Sequence, residues 1–266
     1  SRPFEGLPSE CDLVALSVLV PAATTRLLLK DADADPVLAA TLLPMAWPAL
    51  HRADDQLMVG LQVTGGSGDP SRDIAAALLE AQELPAGSPV LSVGRPGPGP
   101  RLQDILNTNV ELDIEVHAGF DYWLDGAAGD VTEDMTAALG RANEQVVPTA
   151  RLASVEAAYW CRIGTKEHLR WVLPESEDAL LNAFAKLAAD NQLGLGPGTK
   201  YIGCFRSHGL LAAVWDLAPG DEADDIEEAA SAFREKLDIA LADSSPLSSE
   251  ARRQRTGIVS RQVTLR

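Results

Sequence analysis

The stretch from Val147 to Pro174, VPTARLASVEAAYWCRIGTKEHLRWVLP, constrains the fold more than any other. It holds two of the five Trp and one of the three Cys, in runs that alternate with period two. Such alternation on both sides of Gly164-Thr165 predicts a β-hairpin. Val155, Ala157, Tyr159, Cys161 and Ile163 fall on one face and Glu156, Ala158, Trp160 and Arg162 on the other, while Leu169, Trp171 and Leu173 alternate with His168 and Arg170. One face is apolar and has to be covered; the other is mixed. The mixed set of Glu156, Trp160, Arg162, His168 and Arg170 reads as half-solvated surface or as a ligand surface.

Cover for the apolar face is written elsewhere in the chain. GLLAAVWDLAPGDEADDIEEAASAFREKL reads as a strand from Leu210 to Leu217, a Pro219-Gly220 turn, and an amphipathic helix through Ile226, Ala230, Phe233 and Leu237. A similar unit lies upstream: a strand over Gln56 to Val63, a Gly-rich turn, and a helix with Asp69 as cap, Pro70 at its first position and Ile74, Leu78 and Ala81 as its stripe. VPAATTRL from Val20 parallels VPTARL from Val147, the second copy being longer by a helix over Glu177 to Asn191 that Ser176 can cap. These correspondences predict an α+β fold of two pseudo-repeated lobes, with mostly antiparallel sheets and helices packed on one side. The lobes are residues 1–146, with a Pro/Gly-rich connection at 85–101, and residues 147–266, with an Arg-rich tail. Asn109 to Leu124 predicts two strands around Gly119, and Met135 to Val146 a helix. The final GIVSRQVTLR alternates like a strand and is expected on a sheet edge, with Arg252 to Arg255 near the acids of Asp221 to Glu228.

The formal net charge of −17 argues against nucleic acid as a partner, since phosphate binding depends on Lys and Arg releasing counterions. With 46% hydrophobic and 23% charged residues, general disorder is excluded. Three Cys without a CxxC pair suit reduced thiols in a cytoplasmic protein. The most apolar run, Leu13 to Leu29, is broken by Ser17, Pro21, Thr24, Thr25 and Arg26, so no membrane insertion is expected.

Few constellations carry chemistry. Gly65-Gly66-Ser67-Gly68 resembles a phosphate cradle, but it lacks the Lys of a P-loop and is followed by Asp69 and Asp73, so it reads as a turn and cap. Cys161 with His168 and Cys204 with His208 match no zinc-finger spacing, and alternation aims Cys161 and His168 apart. No metal and no cofactor is expected, and no catalytic residue is assigned. The acids from Asp221 to Glu228 lie at a helix start, where the dipole favours them.

At RPFEGLPSECDLVAL, VPTARL, VEAAYWCRIG, EHLRWVLP and GLLAAVWDL the chain resembles an actinobacterial family of unknown function over almost its full length. That resemblance implies a Lys/Arg-rich N-terminal extension ahead of the Pro-Phe-Glu-Gly-Leu-Pro segment, and no activity. The resulting expectation is a cytoplasmic binding or scaffold protein that recognises a protein or peptide through a cleft or sheet face near Trp160, Arg162, His168, Arg170 and Arg206. Two alternatives stand beside it. One is an enzyme acting on a small anionic substrate, with Arg162, Arg170 or Arg206 pairing the anion and His168 exchanging a proton. The other is a ribosome or nucleic-acid associated factor acting through basic tails.

Overall fold

Two six-stranded sheets, both dominated by antiparallel pairs, carry helices against them in the computed structural model, which describes residues 2–62, 66–125 and 131–264. The fold is α+β. The chain divides into two units, Arg2–Val146 and Val147–Arg266, each built around one sheet.

The N-terminal unit runs α1 (Glu10–Val18), β1 (Ala23–Leu27), β2 (Val37–Ala40), β3 (Ala49–His51), β4 (Leu57–Gly60), α2 (Pro70–Glu83), β5 (Ser88–Val90), α3 (Leu102–Ile105), β6 (Ile114–Val116) and α4 (Glu133–Asn143). Its strand order is β5-β3-β4-β2-β1-β6. The second strand expected after Gly119 is instead a 3-10 turn over Asp121–Trp123. The reason is spacing: Phe120, Tyr122 and Trp123 are all buried, which strict alternation does not allow. The turn is pinned to the sheet by one carbonyl, because Tyr122 Oη and Trp123 Nε1 both donate to Leu42 O, at 2.8 and 2.9 Å. Together with Leu139 of α4 these rings cover Ala22, Ala40, Leu43 and Met58. Gly119 has no room for a Cβ, which would lie 2.7 Å from Asn143 Oδ1, the atom that accepts from Phe120 N.

Asp69 precedes α2 as expected, but its side chain makes no cap; it pairs with Arg101 at 2.8 Å. The glycine loop is also satisfied internally. Ser67 N donates to both oxygens of Asp73, so a side chain of the helix occupies the place an anion would take; Gly65 lies outside the described residues. The 85–101 stretch is a strap within this unit, not a link between lobes: β5 pairs with β3, and Arg72 donates to Gly97 O and Pro100 O.

The C-terminal unit runs β7 (Thr149–Arg151), β8 (Ala158–Ile163), β9 (Lys166–Leu173), α5 (Glu177–Ala189), β10 (Lys200–Ser207), β11 (Leu210–Asp216), α6 (Ala223–Ala242), α7 (Ser249–Ser260) and β12 (Val263–Thr264). Strand order is β12-β10-β11-β9-β8-β7. Ser176 caps α5 through Ala179 N, and Glu222 and Asp225 cap α6 reciprocally. The stripe Ile226, Ala230, Phe233 and Leu237 is buried, as its 3.6 period demands. At the centre Trp215 lies 5.2 Å from Phe233, 5.5 Å from Tyr201 and 6.3 Å from both Phe184 and Trp171, and its Nε1 donates to Leu193 O.

The predicted equivalence of the lobes stops at strand order. β1-β2-β4-β3 and β8-β9-β11-β10 share the same neighbours, yet β2 and β4 run parallel whereas β9 and β11 run antiparallel. The crossover helix accounts for this. α5 returns the chain along the sheet, so β10 starts in the direction of β9; residues 41–48 hold only a 3-10 turn, and β3 must run back against β2.

The tail differs from its expected strand. Residues Ser249–Ser260 form α7, capped by Ser248, with Ala251 and Ile258 seven positions apart on its buried side. Only Val263–Thr264 join the sheet, parallel to β10; Leu265 and Arg266 lie outside the described residues. Arg255 reaches Asn182 and Asp178 of α5, not the acids at the start of α6, and Gln262 donates to Glu177.

Two outcomes follow for stability. Ile258→Ala removes a fully buried side chain and should cost about 2–4 kcal/mol in chemical denaturation, whereas Arg255→Ala, an exposed pair, should cost about 1 kcal/mol or less and nothing in high salt. The Arg206 guanidinium, with Gln262 and Arg255, holds the Glu177 carboxyl below its ordinary 4.5. Its stabilisation is therefore complete above that value and is lost as pH falls through the lowered folded pKa. Glu177→Gln should flatten the acid limb of a melting-temperature against pH profile, and an unchanged limb would remove Glu177 from the account.

Candidate functional site

In the C-terminal sheet, register decides where each expected residue goes. β8 pairs with β9 so that Ala158 faces Trp171, Trp160 faces Leu169 and Arg162 faces Glu167, while Tyr159 faces Arg170 and Cys161 faces His168. Directly opposed residues project to the same face. Trp160 and Arg162 therefore stand on the side of the buried Trp171 and Leu169, and His168 and Arg170 stand on the other, beside Tyr159 and Cys161. Of the five residues expected at the binding surface, Trp160 and Arg162 thus lie on one face and His168 and Arg170 on the other. The reading that aimed Cys161 and His168 apart is corrected as well: they are direct cross-strand neighbours. Cys204, opposite Ala213 in the Trp215 core, projects to the side away from Cys161.

Each of the five is held by a neighbour. Trp160 is buried and donates Nε1 to Asp221 O at 2.8 Å. The Arg162 guanidinium lies 5.1 Å over the Trp160 ring and bridges Glu167 and Glu222. That contact holds the Glu167 carboxyl below its ordinary value. Arg170 points Nε and Nη2 at Cys161 Sγ, at 3.1 and 2.9 Å, while burial pushes the thiol pKa up. His168 Nδ1 lies 2.9 Å from Asp216 Oδ1, out of line for a hydrogen bond but within ion-pair reach. Arg206 forms a two-pronged pair with Glu177. Cys204 is also raised by burial, so both thiols stay protonated and poorly nucleophilic at neutral pH. Among the described residues no three His, Cys, Asp or Glu come together to hold a metal ion.

A different place offers unspent groups. In the N-terminal unit a cleft of about 520 Å³ is lined by residues of β1, β2, β6 and the Asp121–Trp123 turn. β1 pairs with β6 so that Thr24 faces Glu115, and with β2 so that Thr24 faces Ala40 and Arg26 faces Leu38. Thr24, Arg26, Leu38, Ala40 and Glu115 thus share one face. The aromatic turn covers its Ala40 end, and the cleft opens along the Thr24, Arg26 and Leu38 part. His117 sets the wall: Nε2 lies 2.8 Å from Thr24 Oγ1, Nδ1 lies 3.8 Å from Glu115 Oε1, and the ring leans on Tyr122 at 5.2 Å.

Charge in the cleft is unbalanced. Asp113, Glu115, Asp121 and Asp125 line it against Arg26 and Arg52. Arg52 is taken by Asp54 through two 2.6 Å bonds, and Asp121 accepts from Asn143. Asp113, Asp125 and Arg26 have no ion pair or side-chain hydrogen bond among the described residues. None of these was singled out from sequence, although Asp113, Glu115 and His117 do alternate with Leu112, Ile114 and Val116. That polar stripe was a readable signal. Its meeting with Thr24 and Arg26, some ninety residues earlier, was not, because strand pairing across that distance leaves no local trace.

No helix among the described residues is long and apolar enough to cross a membrane. No curated protein and no solved structure matches the chain. A family model does, over residues 3–266, and on that match, which takes in both sheets and the cleft, the chain belongs to the Family of unknown function (DUF5926).

Proposed function

We propose that the protein is a binding protein that recognises a basic segment of a protein or peptide in the cleft of its N-terminal unit. The observation that carries this reading is a cleft of about 520 Å³, within the size range of ligand sites, lined by four carboxylates of which Asp113 and Asp125 have no partner among the described residues. Protein carboxylates at a structural site are normally paired or capped, as Glu167, Glu177 and Asp225 are here. Among the described residues Asp113 and Asp125 have no partner, and Glu115 has only the distant His117. A low-dielectric wall of Leu38 and Tyr122 strengthens their pull on a cation relative to open water.

The Arg162, Arg170 and Arg206 set is less suited to an anionic substrate, since each guanidinium is already bonded to Glu167, Cys161 or Glu177. A cytoplasmic setting goes with three buried, unbridged thiols.

Isothermal titration with Lys- and Arg-bearing peptides should give binding that weakens with salt, and acidic peptides should give none. The triple variant D113N/E115Q/D125N should lose about tenfold in affinity, on the scale of about 0.5 kcal/mol per exposed charge, with its melting temperature unchanged. Equal binding of basic and acidic peptides, or full affinity in the triple variant, would remove the cleft from the account.

A further inference from the structure

The acidic lining is interrupted by one cation with nothing to do. The Arg26 guanidinium lines the cleft, is exposed, and makes no ion pair or hydrogen bond among the described residues, although four carboxylates line the same cleft. Most other arginines of the protein are engaged: Arg2 with Glu10, Arg52 with Asp54, Arg101 with Asp69, Arg162 with Glu167, Arg206 with Glu177, Arg234 with Glu175 and Asp238. An arginine that remains unpaired among acids is held where an external anion can reach it.

The cleft is also polar along its length. Register puts Arg26 level with Leu38, and Leu38 is in turn level with Met58. Gln56 donates to Pro36 O just before this level, and Arg52 lies on the same approach to β4. Two residues along β1, Thr24 is level with Ala40 and Glu115, and there the Asp121–Trp123 turn is tied to Leu42. At the Leu38 end Arg52 is neutralised by Asp54 and Asp113 adjoins Ile114 toward the Arg26 level, so Arg26 is the cation left there without a bond among the described residues, while Glu115, Asp121 and Asp125 gather toward the turn. The ends are separated by about 7 Å of strand, roughly the span of a lysine or arginine side-chain stem.

Resting on the binding function proposed above, we infer that the ligand is zwitterionic, carrying a carboxylate that Arg26 takes and a cationic group that the carboxylates near the turn take. Planar guanidinium and planar carboxylate match in a two-pronged pair, which makes Arg26 the residue that separates such a ligand from a simple amine. A free basic amino acid and the C-terminal residue of a peptide ending in Lys or Arg share this chemistry.

The test compares L-arginine with agmatine, its decarboxylated counterpart, and an Arg-terminated tetrapeptide acid with its amide, by titration calorimetry on the intact protein. The carboxylate-bearing member of at least one pair should bind about fivefold tighter, the scale of one partly exposed ion pair. Arg26→Gln should abolish that difference while leaving agmatine as tight or tighter, because a repelling charge has gone. Arg26 is exposed, so its variant should keep the parent melting temperature. A preference already present with L-arginine assigns a free amino acid, and one confined to the peptides assigns a chain terminus. Equal affinity within both pairs, unchanged in Arg26→Gln, would overturn the zwitterion and leave the basic-ligand reading standing. Failure of all four compounds to bind, together with failure of longer basic peptides, would remove both.

Discussion

In the β8–β9 pair, Ala158 opposite Trp171 and Trp160 opposite Leu169 commit one whole face of the C-terminal sheet to the core. A shift of one residue would exchange every side chain between faces, so this register is the constraint on which the unit depends. It lets β11 bring Trp215 beside Trp171 and opens the row that Phe184 of α5 and Phe233 of α6 fill. Aromatics are only 5% of the chain, and concentrating them around Trp215 supplies large buried areas where Ala and Leu alone would pack thinly. The same register places Arg162 beside Glu167, and beyond it Glu222, which ties the hairpin to the first turn of α6.

The N-terminal sheet answers the same need with less. No crossover helix follows β2, and part of the sheet face is covered by three aromatic rings, two of them, Tyr122 and Trp123, hung from a single carbonyl, Leu42 O, together with α4. Cover of that size reaches Ala40 and Met58 and leaves Arg26, Leu38 and Glu115 beside the cleft. An open cleft here is thus a consequence of connection length. The short return over residues 41–48 both reverses β3 and provides no helix to close the face.

Charge is distributed with the same economy. A net −17 could load the surface evenly, yet many acids serve as helix starts or as partners for arginine: Asp73 for Ser67 N, Asp225 for Glu222 N, Glu227 for Ala153 and Ser154, Glu177 for Arg206 and Gln262. Asp113, Asp125 and Arg26, without a partner among the described residues, are set apart from other solvated charges by lining one concavity, a conjunction with no packing reason because exposed charges contribute little to stability.

The sequence by itself determined the elements whose periods are long and clean. The Val147–Pro174 hairpin, the stripes of α2, α5 and α6, and the Ser176 cap all follow from local alternation, helical spacing and capping chemistry. Tertiary structure decided what local pattern cannot carry. Phe120, Tyr122 and Trp123 became a turn because one carbonyl and one apolar sheet end were in reach; the tail became a helix because that buries Ala251 and Ile258 together and brings Arg255 to Asn182 and Asp178 of α5. The faces of Trp160, Cys161 and His168 were set by cross-strand pairing and not by apolar count, which is why the expected site dissolved into internal pairs. The cleft was the least legible part, since its charges lie on strands some ninety residues apart that pairing alone brings to one face.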